Sequence, residues 1–139
     1  MNRSLAPPGG MPPPATAATP SGREIDLAAL AEEVCAAYDA EFPDERERYG
    51  AAGLQWCRHD NQHLLNWAVL SLDFAIDFER ELAWLARVLE ARDFPLARLA
   101  RDLDLLAATV LRHHPDESGL HARVLAGATF VRSRDTFRD

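Results

Sequence analysis

Leu96, Leu99, Leu103, Leu106 and Val110 recur at spacings of three, four, three and four residues. This repeat restricts the fold more than any other feature of the chain. Side chains three and four apart share a helix face, so these residues form an apolar seam on a helix spanning about residues 96–113. Such a seam must be covered by other helices. Leu105 and Leu111 widen it beyond one line, which predicts contact with more than one neighbour.

The same period recurs upstream and downstream. Phe78, Leu82, Leu85 and Leu89, widened by Trp84 and Val88, mark a helix over about residues 74–91 that ends at Arg92-Asp93-Phe94-Pro95. A preceding helix runs from Asp44 or Gly50 to Leu72, with Gly50 and Gly53 weakening its first turns. Ser21-Gly22-Arg23-Glu24 has the S-x-x-E form of a capping box and predicts that the first helix starts there. Its stripe is Leu27, Leu30, Val34 and Tyr38, and the chain turns near Phe42-Pro43. A last, shorter helix from about Gly119 to Val131 offers Leu120, Val124 and Ala128. Nowhere do β-branched residues alternate at period two over a strand length. The predicted class is therefore all-α: an antiparallel bundle of four main helices plus a short C-terminal helix over residues 21–131. Residues 1–20, rich in Pro, Gly, Ala, Ser and Thr, read as a disordered tail, and residues 132–139 as a fraying end.

A chain of 139 residues with 47% apolar content suits one domain with one core. Its formal charge of −7 repels phosphate backbones, which excludes nucleic acid as an expected partner. Residues 23–49 carry nine acids against Arg23, Arg46 and Arg48, an acidic face expected to be solvated. No apolar run is long enough to span a membrane, and the proline-rich start cannot form the apolar helix of a secretory signal. The cytoplasm is the expected location. All fifteen basic residues are Arg and Ala and Leu abound, a usage associated with GC-rich bacterial genomes. Cys35 and Cys57 are too few and too far apart for a disulfide framework or a four-ligand zinc motif, and are expected as reduced core thiols.

The richest chemistry lies in one run, Trp56-Cys57-Arg58-His59-Asp60-Asn61-Gln62-His63-Leu64-Leu65-Asn66-Trp67. Trp56, His59, Asp60, His63 and Trp67 fall on one helical stripe, a polar group bracketed by indoles. The pattern fits a buried polar network, a ligand pocket or a metal site. For a metal, His59 and His63 stand four apart on one face, and His113, His114, Asp116 and His121 could complete the ligand set. Asp60 could orient an imidazole or form a salt bridge to Arg58 or Arg92. For a planar ligand, the candidate pocket is Trp56, His59, Asp60, His63, Trp67 and Trp84, with Phe74 and Phe78 as further aromatics. Cys57 has no general base beside it on its own helix face, no phosphate-cradling glycine loop occurs, and no Ser-His-Asp set can be assembled. A non-enzymatic protein is expected, and the residues assign no cofactor.

The pattern Phe78-x-x-x-Leu82-x-Trp84-Leu85-x-x-Val88-Leu89-x-x-Arg92-x-x-Pro95, followed by the leucines of the next helix, resembles the helical-bundle module of bacterial cobalamin-binding regulatory proteins. Cys57, Asp60, Leu65 and Trp67 can be laid on that module's first helix, so the resemblance covers about residues 54–111. In that family the bundle caps the corrin ring, while a separate Rossmann-like domain supplies the cobalt-ligating His of an Asp-x-His-x-x-Gly motif. This sequence has no such motif, and it has Glu81 where the module usually has an aromatic residue. The resemblance implies a bundle fold and a sensory or regulatory role, with no ligand residue carried over. The leading expectation is a regulatory or adaptor module acting through protein contact, with a partner or with a second copy of itself. The alternatives are a sensor for a small planar ligand (cobalamin, haem or a linear tetrapyrrole) and a metal-binding bundle using His59 and His63.

Overall fold

The computed structural model describes residues 12–138. They form a short hairpin, β1 (Thr16–Ala18) and β2 (Glu24–Asp26), and five helices: α1 (Leu27–Glu41), α2 (Glu45–Ser71), α3 (Phe78–Ala91), α4 (Leu96–His113) and α5 (Ser118–Arg132). The class is all-α, as the periodicities predicted. The leucine seam does what its spacing requires. Leu99, Leu103, Leu106 and Val110 are buried, and α4 packs against α5, α1 and α3. Leu105 packs against the core as the widened face predicted, whereas Leu111 stays exposed.

The first helix starts later than the capping-box signature implied. Asp26 is its cap, with the carboxylate accepting from the Ala29 amide at 3.0 Å. Ser21 and Glu24 belong to the hairpin instead. β1 and β2 pair antiparallel with Ala17 opposite Ile25, and Gly22 takes a positive φ of 91° in the connecting turn. Ile25 is the one hairpin side chain driven fully into the core. Three-residue strands are too short to carry a readable period, which is why the hairpin went unpredicted. Its tip is tied to the α4–α5 turn: the Ser21 hydroxyl donates to Glu117 at 2.8 Å, and Arg23 pairs with Asp116. Residues 12–20, expected within the tail, thus include a paired strand, and the Pro14 carbonyl accepts from the Gln62 side chain at 3.2 Å. The remainder of the expected tail, residues 1–11, lies outside the described residues.

The end of the chain is also held. Phe137 is buried, its ring packs on Phe130 with centroids 5.5 Å apart, and its amide donates to Glu90 at 2.8 Å. The fraying expected from residue 132 is corrected accordingly: burial of one aromatic side chain offsets the entropy of ordering a short tail.

The acidic face is not merely solvated. Glu41 pairs with Arg101 at 2.7 Å, Glu45 with Arg98 at 2.6 Å, and Glu33 with both Arg112 and His113. These pairs lace α1 and the start of α2 to α4.

Cys35 of α1 and Cys57 of α2 form a disulfide across a Cα–Cα distance of 5.9 Å, which corrects the expectation of two reduced thiols. Sequence separation said nothing about the pairing; the packing of α1 on α2 brings the two sulfurs together. The closed loop spans a sequence separation of 22 residues, for which chain-entropy arguments give about 3 kcal/mol. Reduction, or the double replacement Cys35→Ser with Cys57→Ser, is therefore expected to lower the melting temperature by roughly 10 °C. Thermal unfolding monitored by circular dichroism, with and without a phosphine reductant, checks this. A melting temperature indifferent to reductant would remove the cross-link's structural role.

Candidate functional site

The long helix α2 is organised by two glycines near its start. Gly50 adopts φ 63°, a left-handed conformation that breaks the helical line, and a Cβ on Gly53 would approach the Tyr49 Cβ to 2.8 Å. The kink lays Tyr49 edge-on against Trp56, with ring centroids 5.5 Å apart, and near Phe94 at 6.2 Å.

Beyond the kink, one face of α2 borders a cavity of about 90 Å³. Gly53, Trp56, Cys57, Asp60, Asn61 and Leu64 come from α2; Cys35, Tyr38 and Asp39 from α1; and Leu99 and Asp102 from α4. Leu89 and Phe94 close the far side, and Glu45 and Arg46 are also in the lining. The walls are therefore largely apolar, with a few polar groups converging, the usual composition of a small-molecule pocket.

Asn61 is the hub of those polar groups. It is 2% exposed, and its amide nitrogen donates to the Asp102 carboxylate and to the Cys57 carbonyl, each at 3.0 Å. The amide oxygen on the same side chain is buried and has no hydrogen-bond partner. The Trp56 indole nitrogen and the Tyr49 hydroxyl are likewise buried without partners. A buried polar atom left unmatched costs on the order of 1–3 kcal/mol.

Asp102 and Asp60 add a pair of carboxyl groups. Burial pushes both up to about 7. At Asp102 the Asn61 hydrogen bond opposes this rise. At Asp60 the charge of Asp102 adds to it, and the Arg92 guanidinium opposes it. Arg92 itself stacks over the Trp56 ring at 5.4 Å. Of the two partners expected for Asp60, Arg92 is thus the electrostatic neighbour, while Arg58 turns to Glu32 at 3.5 Å. Neither Asp60 nor Asp102 forms an ion pair among the described residues. The other acids in the lining are matched: Asp39 by Arg46 at 2.7 Å, and Glu45 by Arg98 and by the Tyr38 hydroxyl at 2.9 Å. Burial, with that hydrogen bond second, raises the Tyr38 phenol above its ordinary range.

The predicted stripe divides in two. Trp56 and Asp60 line the cavity; His59, His63, Trp67 and Trp84 do not. His59 and His63 stack with centroids 6.4 Å apart, and His63 lies 5.7 Å from Trp67, forming an imidazole–indole row beside the cavity. Burial holds His59 below its ordinary value. Trp84 is 38% exposed on α3. The stripe was broad enough for its two edges to meet different surroundings. The metal reading loses its ligand set: among the described residues no three or more His, Cys, Asp or Glu side chains are grouped to hold a metal ion. His113 is instead engaged with Glu33 at 2.8 Å.

Asn61, Asp102, Cys35 and Tyr38 were not singled out from the sequence. For Asp102 a signal existed: it stands three residues after Leu99 and four before Leu106, so an acid sits on the apolar seam itself. No family model matches the chain, and neither the curated proteins nor the solved structures compared with it provide a match.

The raised carboxyls imply a defined pH dependence. Each binds its proton more tightly when folded than unfolded, so the stability it contributes is complete below about pH 4 and is lost as pH rises through about 7. Asp102→Asn, which retains an oxygen for the Asn61 hydrogen bond, should flatten this slope. Relative to the variant, the native chain is expected to lose about 2–3 kcal/mol between pH 5 and pH 8. Urea unfolding at the two pH values measures the difference; parallel pH profiles for the two chains would contradict a raised Asp102 carboxyl.

Proposed function

We propose that the protein is a small-molecule-binding helical module of sensory or regulatory type, without catalytic activity, whose ligand occupies the cavity between α1, α2 and α4. The observation that carries this reading is the Asn61 amide oxygen, buried at the cavity and left without a partner. A donor on a bound molecule would match it, and buried polar groups in folded chains are matched in the large majority of cases. The cavity's size bears on the ligand. At about 90 Å³ it is well below the roughly 300–1,000 Å³ of pockets that hold drug-sized ligands, which favours a compact molecule over cobalamin, haem or a linear tetrapyrrole.

Location forms part of the proposal. Among the described residues no helix is long and apolar enough to cross a membrane. The Cys35–Cys57 bond weighs towards an oxidising environment over the cytoplasm expected from the sequence, because structural disulfides persist where thiols are not kept reduced.

A second reading keeps the role in protein contact, with a partner or a second copy of the chain. Phe74 supports it. This residue is 86% exposed and takes φ 65°, a conformation that costs a bulky side chain energy, so the α2–α3 turn holds an aromatic ring out in water.

For the ligand reading, thermal-shift measurements with small polar molecules, alongside haem, cobalamin and a linear tetrapyrrole, are the direct test. A true ligand at about ten times its Kd should add roughly 1.4 kcal/mol of stability, and the gain should vanish in Asn61→Ala. Stabilisation by the tetrapyrroles alone, or by none of the compounds, would overturn the reading. For the contact reading, light scattering at high protein concentration should show a dimer that Phe74→Ser converts to monomer; a native chain that is monomeric throughout would argue against self-association.

A further inference from the structure

We infer that the cavity takes a small organic cation, a compact alkylammonium whose charge meets the Asp60 and Asp102 carboxylates and whose N–H reaches the Asn61 amide oxygen. The inference rests on the ligand-binding reading above and specifies its chemistry.

The argument starts from what the lining leaves unmatched. Asp39 and Glu45 are neutralised by Arg46 and Arg98. Asp60 and Asp102 have no ion-pair partner among the described residues, and the nearest cation acting on Asp60 is Arg92, which lies over the Trp56 ring. Beside these two acids stands the unpartnered oxygen of Asn61, on a side chain 2% exposed. In their ionised forms the two carboxyls offer acceptors, as the Asn61 oxygen does, while the Trp56 indole N–H is an unpartnered donor in the same lining. An anion would be repelled by the carboxylates, and a neutral alcohol would supply a single donor to several acceptors. An ammonium group supplies three donors and the opposite charge.

The rest of the wall decides between an organic and an inorganic cation. Leu54, Leu64, Leu89 and Leu99 surround the carboxylates with hydrocarbon, and no set of three or more His, Cys, Asp or Glu side chains is grouped to coordinate a metal among the described residues. Hydrocarbon on one side and acceptors on the other suit an alkyl chain ending in an ammonium group. The charged and titratable groups that share the lining with the acid pair are Tyr38 and Asp39 from α1 and Glu45 and Arg46 from α2, and Arg92 at the end of α3 acts on Asp60. Asp39, Glu45, Arg46 and Arg98 are already paired with one another, leaving Asp60 and Asp102 as the groups free to respond.

A consequence for protons follows. With both acids pushed up to about 7, the pair is partly protonated at neutral pH. A bound ammonium favours the ionised forms, so those protons pass to solvent as it enters. Binding then tightens as pH rises from about 6 to 8.

Titration calorimetry on the full chain at pH 7, in two buffers of different ionisation heat, tests the inference with three probes of matched size: n-propylammonium, n-propanol and propionate. Propylammonium alone is expected to bind, with net proton release. Asp60→Asn and Asp102→Asn should each weaken that binding about tenfold or more, with folding verified by circular dichroism. Asp60 is the less buried of the pair, so D60N keeps the test valid should D102N fail to fold. Binding of n-propanol or propionate as tight as that of propylammonium would overturn the cation assignment and leave the ligand-binding reading standing. Propylammonium binding that neither variant weakens, or that releases no proton, would also overturn the assignment. No binding by any probe would overturn the cation assignment, and together with no hit in the thermal-shift panel it would overturn the ligand-binding reading as well.

Discussion

The hydrogen bond from the Asn61 amide to the Asp102 carboxylate, 3.0 Å long and buried, is the constraint around which the centre of the bundle is arranged. It joins α2 to α4 where a buried acid interrupts the apolar face of α4. A buried carboxyl must find a hydrogen bond or forfeit several kcal/mol, so this pair links α2 to α4 across the core. The disulfide joins the same point from the third side, since Cys57 sits one turn before Asn61 and binds Cys35 of α1. Three helices are thereby tied at one level, and the cavity lies beside the tie.

The arginines serve this arrangement from outside. Arg98 and Arg101 reach from α4 to acids at the end of α1 and the start of α2. Pairs as exposed as Arg101 with Glu41 contribute little individually, because solvent screens them. Their consequence for the site is geometric: Arg98 occupies Glu45, and Glu45 in turn engages Tyr38. The acids at the rim are paired with arginines, whereas Asp60 and Asp102 form no ion pair among the described residues.

Much of the fold was legible because helix periodicity is a local signal. The bounds of α4 agree with the leucine repeat at both ends, and α5 differs from its expected span by one residue at each end. Elements that depend on distant partners were not legible. The hairpin is defined by pairing and by Ile25 entering a core built elsewhere, and the order of residues 133–138 depends on Phe137 finding Phe130 and Glu90. The site was half legible for the same reason. Trp56 and Asp60 could be placed on one face of a helix, but a helical stripe does not reveal which neighbour each edge meets. The row of His59, His63 and Trp67 met a different environment from the cavity face. Cys35 and Cys57 carried no pairing information until α1 was packed on α2.

The cavity persists because the helix beside it is built to leave it open. Gly50 turns the first residues of α2 aside, and the absence of a side chain at Gly53 lets Tyr49 pack close. Tyr49 is diverted onto Trp56 and Phe94 and does not itself line the cavity. A chain selected only for stability would be expected to close such a space with a leucine and to replace Asp102 with another apolar residue, since both changes remove a cost. Two carboxyl groups without ion pairs and an unmatched amide oxygen at one level of an otherwise close-packed bundle are the groups that the proposed ligand would complete. Departures from local packing rules concentrate where a protein has something to bind.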